Sequence, residues 1–595
     1  MNKMKKITHF LHEHRYIFIL ALLIGLLSSV PQYIEKKTRP DFQGIHMGVV
    51  KDTGYYMTRA KEVIDGHSYL TNPYLFEHKD GAPMEFWIPD VIIAKPIQWL
   101  GLTISSGFMM WSFVLPLLLA LVGYAALMLL TRSKQLSLLG VLFIHLGIYG
   151  LKFLRIPSPA LNFIFFLIAL ICLILWIQKR EVQKIKLENA GHNQRAQVAT
   201  SATPYAWASA IAFGLLFNVY TYYWTYFVVL FAVFVFCAIV LRLRNFSYKK
   251  YALIFIGGLI VGIPYFVSMW QAHGLEGRIE TLERLGLIYS HFPSGIATGA
   301  LAAGVIVLFL IAYRRKIVAL TELNVFLFAA LFSTIIVMNQ HLITGINLEF
   351  SSHYQLGNAY VSIITLIYLI SQWLKGKSER ARELIFFCLT LIVASYALKG
   401  AHGVIVQQIT YRDAETHIQR YAPIFQWLNE HAESDEVVFA NTEISDYMPL
   451  YTSQNVFFAG SANLYFMTNA EVEKRFYINN YFEKFSDEYT LKKLPIIIGR
   501  HHINEFGHLN SENKLRKVLG LAQLSNVLIP EGQVERIQVA AAEVQERPFE
   551  ELLKSYRIDY LVWDTAKDTE WKVKDLKFLE LLHSEDGINI YKVNL

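Results

Sequence analysis

Asp52, Tyr56 and Arg59 fall within two turns of the stretch VKDTGYYMTRAKEVIDG, residues 50–66. Helical spacing places the three on one face. A carboxylate beside a guanidinium and a phenol can hold a divalent ion, or take a proton from an acceptor hydroxyl. An Asp at a helix start is also an ordinary cap for free backbone N–H groups. The chain continues into NPYLFEHKDGAP, residues 72–83, where Glu77 adjoins His78 between turn-forming Pro and Gly residues. An acid next to an imidazole is suited to proton transfer near neutral pH, and the pair makes Glu77 and His78 further catalytic candidates. Asp52 and Glu77 are the candidate ligands for a metal ion.

Three more groups could bind a substrate. Arg155, in KFLRIPSPALN, stands where a phosphate head group would meet a membrane boundary, though a snorkelling side chain is the plain alternative. NQHLITGINLEFSSHY, residues 339–354, gathers Asn339, His341, Glu349, His353 and Tyr354 between two apolar runs. Polar groups in such a place are costly unless used. Asn218, Tyr220, Tyr222, Tyr223, Trp224 and Tyr226 crowd one short stretch, for which an aromatic belt at the membrane interface is the favoured reading.

The elements that must hold these residues are mostly apolar helices. Hydrophobic residues make up 54% of the 595-residue chain and charged residues only 17%. Runs such as Tyr16–Val30, Phe108–Leu130, Asn162–Ile177, Ile254–Trp270 and Val325–Met338 approach or exceed the length needed to cross a bilayer. The first run follows a basic segment without a small-residue cleavage site, so it reads as a retained helix. Cys172, Cys237 and Cys388 lie in apolar runs, so no disulfide framework or thiolate metal site is implied and buried small hydrophobes is the expected reading.

Net charge is +16 over residues 1–400 and −9 over 401–595, a division that excludes a uniform basic surface for nucleic acid. The positive excess sits in every second connection between apolar runs, and positive loops remain in the cytoplasm. Eleven spans follow, near 15–31, 106–131, 136–152, 159–178, 204–219, 222–241, 251–270, 295–313, 323–338, 356–374 and 383–400. The N-terminus is then cytoplasmic and the region after residue 400 extracytoplasmic, in a cell inner membrane. Residues 204–241 are too long for one helix and divide into a hairpin near Asn218–Tyr222. Trp87–Leu102 is apolar but carries Asp90, Lys95 and two prolines, so it reads as an interfacial or re-entrant helix on the outer face, within a first outer loop over 32–105.

The region 401–595 changes character. HIQRYAPIFQWLNEH has helical spacing, while DEVVFAN, NVFFAG, LPIIIGR and IDYLVWD read as short strands of an α/β domain. The fold class is therefore a polytopic α-helical membrane protein of about eleven transmembrane helices with a C-terminal extracytoplasmic α/β domain.

One span, a long outer loop with an early Asp, many further spans and an outer α/β domain resemble the GT-C-type integral-membrane glycosyltransferases. That superfamily includes oligosaccharyltransferases, protein O-mannosyltransferases and aminoarabinose transferases. Asp52, the Tyr55/Tyr56 pair, Arg59 and Asp65-Gly66 match its pattern of an early acid, an aromatic and a helical stretch ending near Gly. The resemblance implies an active site at Asp52, with Asp41 as the second candidate. It also implies a polyprenyl-phosphate sugar donor, in some members Mg²⁺ or Mn²⁺, and a glycan, lipid or protein acceptor. Tyr56, Arg59, Arg155, His341 and His353 would line the substrate site. No WWDYG-like acceptor motif is found. A transporter or flippase of lipid-linked saccharides, and a non-catalytic envelope-assembly protein, are the readings from other classes.

Overall fold

A computed structural model describes residues 2–46, 52–67, 70–83, 86–150, 152–189, 203–243, 246–347, 351–414 and 416–595. Eight of its helices are long and apolar enough to cross a membrane. Tyr248–Val261 and Ile263–His273, bent by 54°, make a ninth if they form one broken span. Pro264 lies in the first turn of the second piece, where its missing N–H breaks the hydrogen-bond ladder. The remaining two of the eleven expected spans are helices at the expected places but short. Lys134–Leu142 widens into a π turn over Phe143–Ile148, and Thr203–Leu215 continues only as a 3₁₀ turn to Asn218. The chain is a polytopic membrane protein.

Between the first two spans, the helix Thr53–Ile64 packs on the helix Ile88–Trp99, which occupies the stretch expected to be interfacial. Two short strands, β1 (Ile288–Tyr289) and β2 (Ile346–Asn347), pair antiparallel between later spans. The last apolar helix runs from Glu379 without interruption past residue 400 to Ala414.

The C-terminal domain is built on β3 (Val437–Phe439), β4 (Asn455–Val456), β5 (Tyr560–Asp564), β6 (Leu579–Glu585) and β7 (Ile588–Val593). Their order is β4-β3-β5-β7-β6, with β3 parallel to both β4 and β5 and the other pairings antiparallel. LPIIIGR is not a strand: Leu494–Ile498 end the helix Asp487–Ile498. Ser486 caps that helix, accepting from the Tyr489 N–H at 3.3 Å, and Asp487 and Glu488 complement its N-terminal dipole. These signals lie upstream of the apolar run and outweigh its β propensity. The β6–β7 hairpin turns on Asp586-Gly587, whose φ values of 48° and 77° suit the tight turns that favour this dipeptide.

The first loop and this domain share one core. Ile45, Tyr74 and Leu75 are buried with Tyr421, Met448 and Val562. The Val456 N–H donates to the Tyr74 carbonyl at 2.8 Å, so the loop covers the free edge of β4.

Asn441 lies just after β3 and Asp564 ends the parallel strand β5, and the Asn441 amide donates to the Asp568 carboxylate at 2.8 Å. Burial raises the Asp568 pKa from 3.8 to about 6; the Asn441 hydrogen bond opposes this, and the neighbouring Asp564 adds to it. Between those two values the folded state keeps a proton that the unfolded chain releases, so stability falls as pH rises through the window. Asp568→Asn retains an oxygen that accepts from Asn441 and is expected to remove this fall. Thermal unfolding across the window measures it, and an unchanged slope in the variant would contradict the assignment.

Candidate active site

Asp52 stands at the N-cap of the helix Thr53–Ile64 but does not cap it with its side chain. Its backbone is left-handed at φ 75°, a conformation that Asp tolerates better than most residues. The carboxylate reaches across the fold, and its Oδ2 accepts from Arg155 Nη1 at 3.2 Å. The side chains are 41% and 25% exposed, so the pair is open to an incoming molecule.

Arg155 lies in the connection between two apolar helices, where its Nε donates to the Ser158 carbonyl and its guanidinium stands 5.6 Å from the centre of the Tyr56 ring. Burial by itself lowers the pKa of this guanidinium. The oxygens of Tyr56, Tyr220, Asp52 and Tyr223 outweigh it and raise the net value, so Arg155 is a permanent cation. Burial raises the Tyr56 phenol, with Arg155 opposing.

The tyrosines form the wall behind this pair. Tyr220 hydrogen-bonds the His353 ring, and its own ring lies 5.0 Å from that of Tyr223 and 5.9 Å from that of Phe86. Tyr222 packs on His353 and on Tyr354, whose hydroxyl meets Thr225 Oγ1 at 2.7 Å. The belt reading is corrected here: Tyr220, Tyr222, Tyr223 and Tyr226 are buried inside the bundle and do not face lipid. The 3₁₀ turn Leu216–Asn218 breaks the helix, and the next helix begins with these rings packed against neighbouring elements. Further along Thr221–Val240, an apolar groove of about 650 Å³ runs against Glu322–Met338, lined by Val228, Phe236, Phe328, Phe332 and Ile336 among others.

Arg59 does not join this site. Its guanidinium donates to Asp90 at 3.1 and 2.7 Å, to the Phe86 carbonyl at 2.7 Å and to the Tyr55 hydroxyl at 3.3 Å. Both members of the ion pair are buried, at 1% and 2% exposure. They join the two first-loop helices. The clue was Asp90 at the start of an apolar helix, a carboxylate that needs a cation when buried.

Glu77 and His78 turn toward the C-terminal domain. Buried Arg475 donates to Glu77 at 3.0 Å, to Glu471 at 3.0 Å and to the Phe457 carbonyl at 2.9 Å, while His78 meets Glu471 at 2.8 Å. These four side chains clamp the first loop to that domain. His341 is fully buried, with Nε2 2.7 Å from the Phe292 carbonyl, and Asp41 pairs with Arg39 at 3.4 Å. Glu349 lies outside the described residues. Asp52 and Glu77 thus take different cations, and among the described residues no group of three or more His, Cys, Asp or Glu side chains converges on an ion. Among the described residues, Asp52 and Glu77 therefore do not form a shared ion site.

The C-terminal domain also backs the Asp52 helix. Tyr465 lies 6.0 Å from the Tyr55 ring, and the helix Thr442–Tyr451 packs on Thr53–Ile64. Asp446 on that helix accepts from the Ser461 N–H at 3.3 Å, and burial raises its pKa to about 6. Sequence reading missed Asp446, which meets Ser461 beyond β4, and Tyr465, which meets Tyr55 of the distant first loop.

No family model matches the chain, and no curated protein matches it in sequence. Among solved structures it is similar to the apo oligosaccharyltransferase of Archaeoglobus fulgidus, at 13% identity over 93% of this chain and 69% of that one, with a TM-score of 0.47. It is also similar to the oligosaccharyltransferase AglB of the same organism in complex with an inhibitory peptide and a dolichol-phosphate, at 10% identity over 98% of this chain and 74% of that one, with a TM-score of 0.49. A third similar structure, the oligosaccharyltransferase of the first one tethered with an acceptor peptide, has 12% identity over 98% of this chain and 74% of that one and a TM-score of 0.48.

Proposed function

We propose that this protein is a membrane glycosyltransferase that moves a sugar from a polyprenyl-phosphate or polyprenyl-diphosphate donor to an acceptor at the membrane surface. The observation that carries the reading is the Asp52–Arg155 pair, a base and a permanent cation 3.2 Å apart and open to substrate. Arg155 takes the donor phosphate, the aromatic wall of Tyr56, Tyr220 and Tyr223 takes the sugar, and the apolar groove along Thr221–Val240 takes part of the lipid tail. Asp52 accepts the proton of the acceptor nucleophile. The acceptor atom bonds to the anomeric carbon as the bond from that carbon to the phosphate oxygen breaks. The bonding electrons pass to the phosphate, where Arg155 stabilises the added charge. Glu77 and His78 serve by holding the first loop to the C-terminal domain, and His353 by orienting Tyr220.

A dolichol-phosphate is bound in one of the archaeal structures and an acceptor peptide in another. Here the lipid phosphate is read from Arg155 itself, and the acceptor class is a cell-envelope glycan, lipid or protein. The test is a deletion strain complemented with the wild-type gene or an Asp52→Asn variant at matched membrane levels. Surface glycans and lipid-linked sugars are profiled by mass spectrometry. A missing sugar with an accumulated lipid-linked precursor, restored only by wild type, supports the transferase. Precursor confined to one leaflet would favour a flippase, and full rescue by the variant would favour a scaffold.

The reading also places the C-terminal domain and the first loop outside the cytoplasm of an inner membrane. A reporter fused after Lys249 is expected to be cytoplasmic; alkaline phosphatase activity there would reverse the topology.

A further inference from the structure

We infer that the segment from Lys514 to Leu528 is a lipid-docking arm that rests the C-terminal domain on the membrane. It ends the helix His501–Val518 and includes the loop that follows. Val518, Leu519, Leu521 and Val527 are 81, 62, 52 and 64% exposed, and Leu524 and Leu528 are exposed with them. So many aliphatic side chains on one continuous surface segment mark an interaction face.

The arm is a built feature. Asn513 exchanges two hydrogen bonds with Leu524, at 2.9 and 2.8 Å, and Arg516 donates to the Ala522 carbonyl at 2.7 Å. Asn526 donates to the Phe506 carbonyl at 3.1 Å and to Asn510 at 2.8 Å. These polar contacts fold the loop back on its helix and leave the aliphatic side chains outward.

Its direction identifies the occupant. His501 bonds the Leu287 carbonyl, and seven residues later His508 bonds Ser290 and packs on Phe292 and near His341. The neighbouring chain leads from Leu287 through Ser294, which bonds the Met338 carbonyl and Asn339 at the end of one membrane helix, into the next at Ile296. The helix His501–Val518 therefore runs toward the membrane helices. Ten further residues beyond His508 add about 15 Å in that direction. The arm thus spans the level of the lipid interface: residues 518–524 lie beyond His508, and the Asn526 bonds bring Val527 and Leu528 back beside it, with exposed Lys514 and Lys517 beside the apolar side chains. A basic, apolar segment at that level suits the head-group and acyl boundary of a leaflet containing anionic lipid.

The test uses the full chain with Cys172, Cys237 and Cys388 replaced by Ala, and an environment-sensitive fluorophore on Leu521→Cys. Glu580→Cys on exposed β6 is the control. The proteins are reconstituted in phosphatidylcholine vesicles with and without phosphatidylglycerol. At position 521 we expect a blue-shifted emission, quenched by doxyl-labelled lipid and shifted further with the anionic lipid. Position 580 should respond only to aqueous iodide. Emission at 521 that matches the control and yields to iodide overturns the proposal. A blue shift lost on dilution into excess lipid, without doxyl quenching, also overturns it and assigns the face to a second copy of the chain. Val527→Cys supplies an independent label should the first variant fail to reconstitute. No outcome depends on the transferase reading, because the measurement requires no sugar donor.

Discussion

Asp52→Asn is expected to lower sugar transfer by a factor of about 10² to 10⁴, the range for loss of a positioned general base. Its level in the membrane should not change, because Asp52 is part-exposed and makes no side-chain cap for its helix. Binding of a donor mimic should move the other way. In the free protein Arg155 is shared with Asp52, so a phosphate must compete with that carboxylate. Dodecyl phosphate is therefore expected to bind Asp52→Asn more tightly than wild type, and Arg155→Gln more weakly. Arg155→Gln should also lower transfer by about 10² to 10³, as loss of a donor to the developing oxyanion does. Calorimetry with the alkyl phosphate separates the two roles. Equal affinities for wild type and Asp52→Asn would mean that the pair does not guard the phosphate site. Loss of transfer without tighter binding would leave Asp52 as a base alone.

The second large effect is structural. Arg59→Met leaves Asp90 buried without its cation and is expected to cost about 3–5 kcal/mol. The helices Thr53–Ile64 and Ile88–Trp99 would lose their polar connection, and the Asp52 turn rides on the first of them. The double variant Arg59→Met/Asp90→Leu removes both charges and should recover most of that loss, since an apolar pair of similar size can replace a buried ion pair. Thermal unfolding of the purified proteins in detergent measures both. Should Arg59→Met instead leave stability intact and raise only the KM for donor, Arg59 would be a substrate ligand, as its spacing from Asp52 first implied.

Local composition made much of this protein legible. Apolar runs of sufficient length require helices that cross a bilayer: each of the eleven expected positions carries a helix, and among the described residues eight of these, or nine with the bent pair, are long and apolar enough to cross. DEVVFAN, NVFFAG and IDYLVWD became β3, β4 and β5, because short runs of β-branched and aromatic residues suit a buried strand. Asp52 stood out by its place after the first span, and its open ion pair with Arg155 is the geometry on which its proposed role rests.

Tertiary structure alone decided which partner each charged group meets. Asp52 and Arg155 are 103 residues apart, and Glu77 and Arg475 are 398 apart. Helical spacing put Arg59 beside Asp52, but a buried guanidinium takes the carboxylate that can be desolvated with it, and packing supplied Asp90. The same rule took Glu77 and His78 to the C-terminal domain, and packing buried the tyrosines after Asn218 inside the bundle. Spacing along one helix limits which side chains can share a face. Which cation a carboxylate meets depends on how separate helices pack, because a charge is buried only where the assembled fold provides its counter-charge.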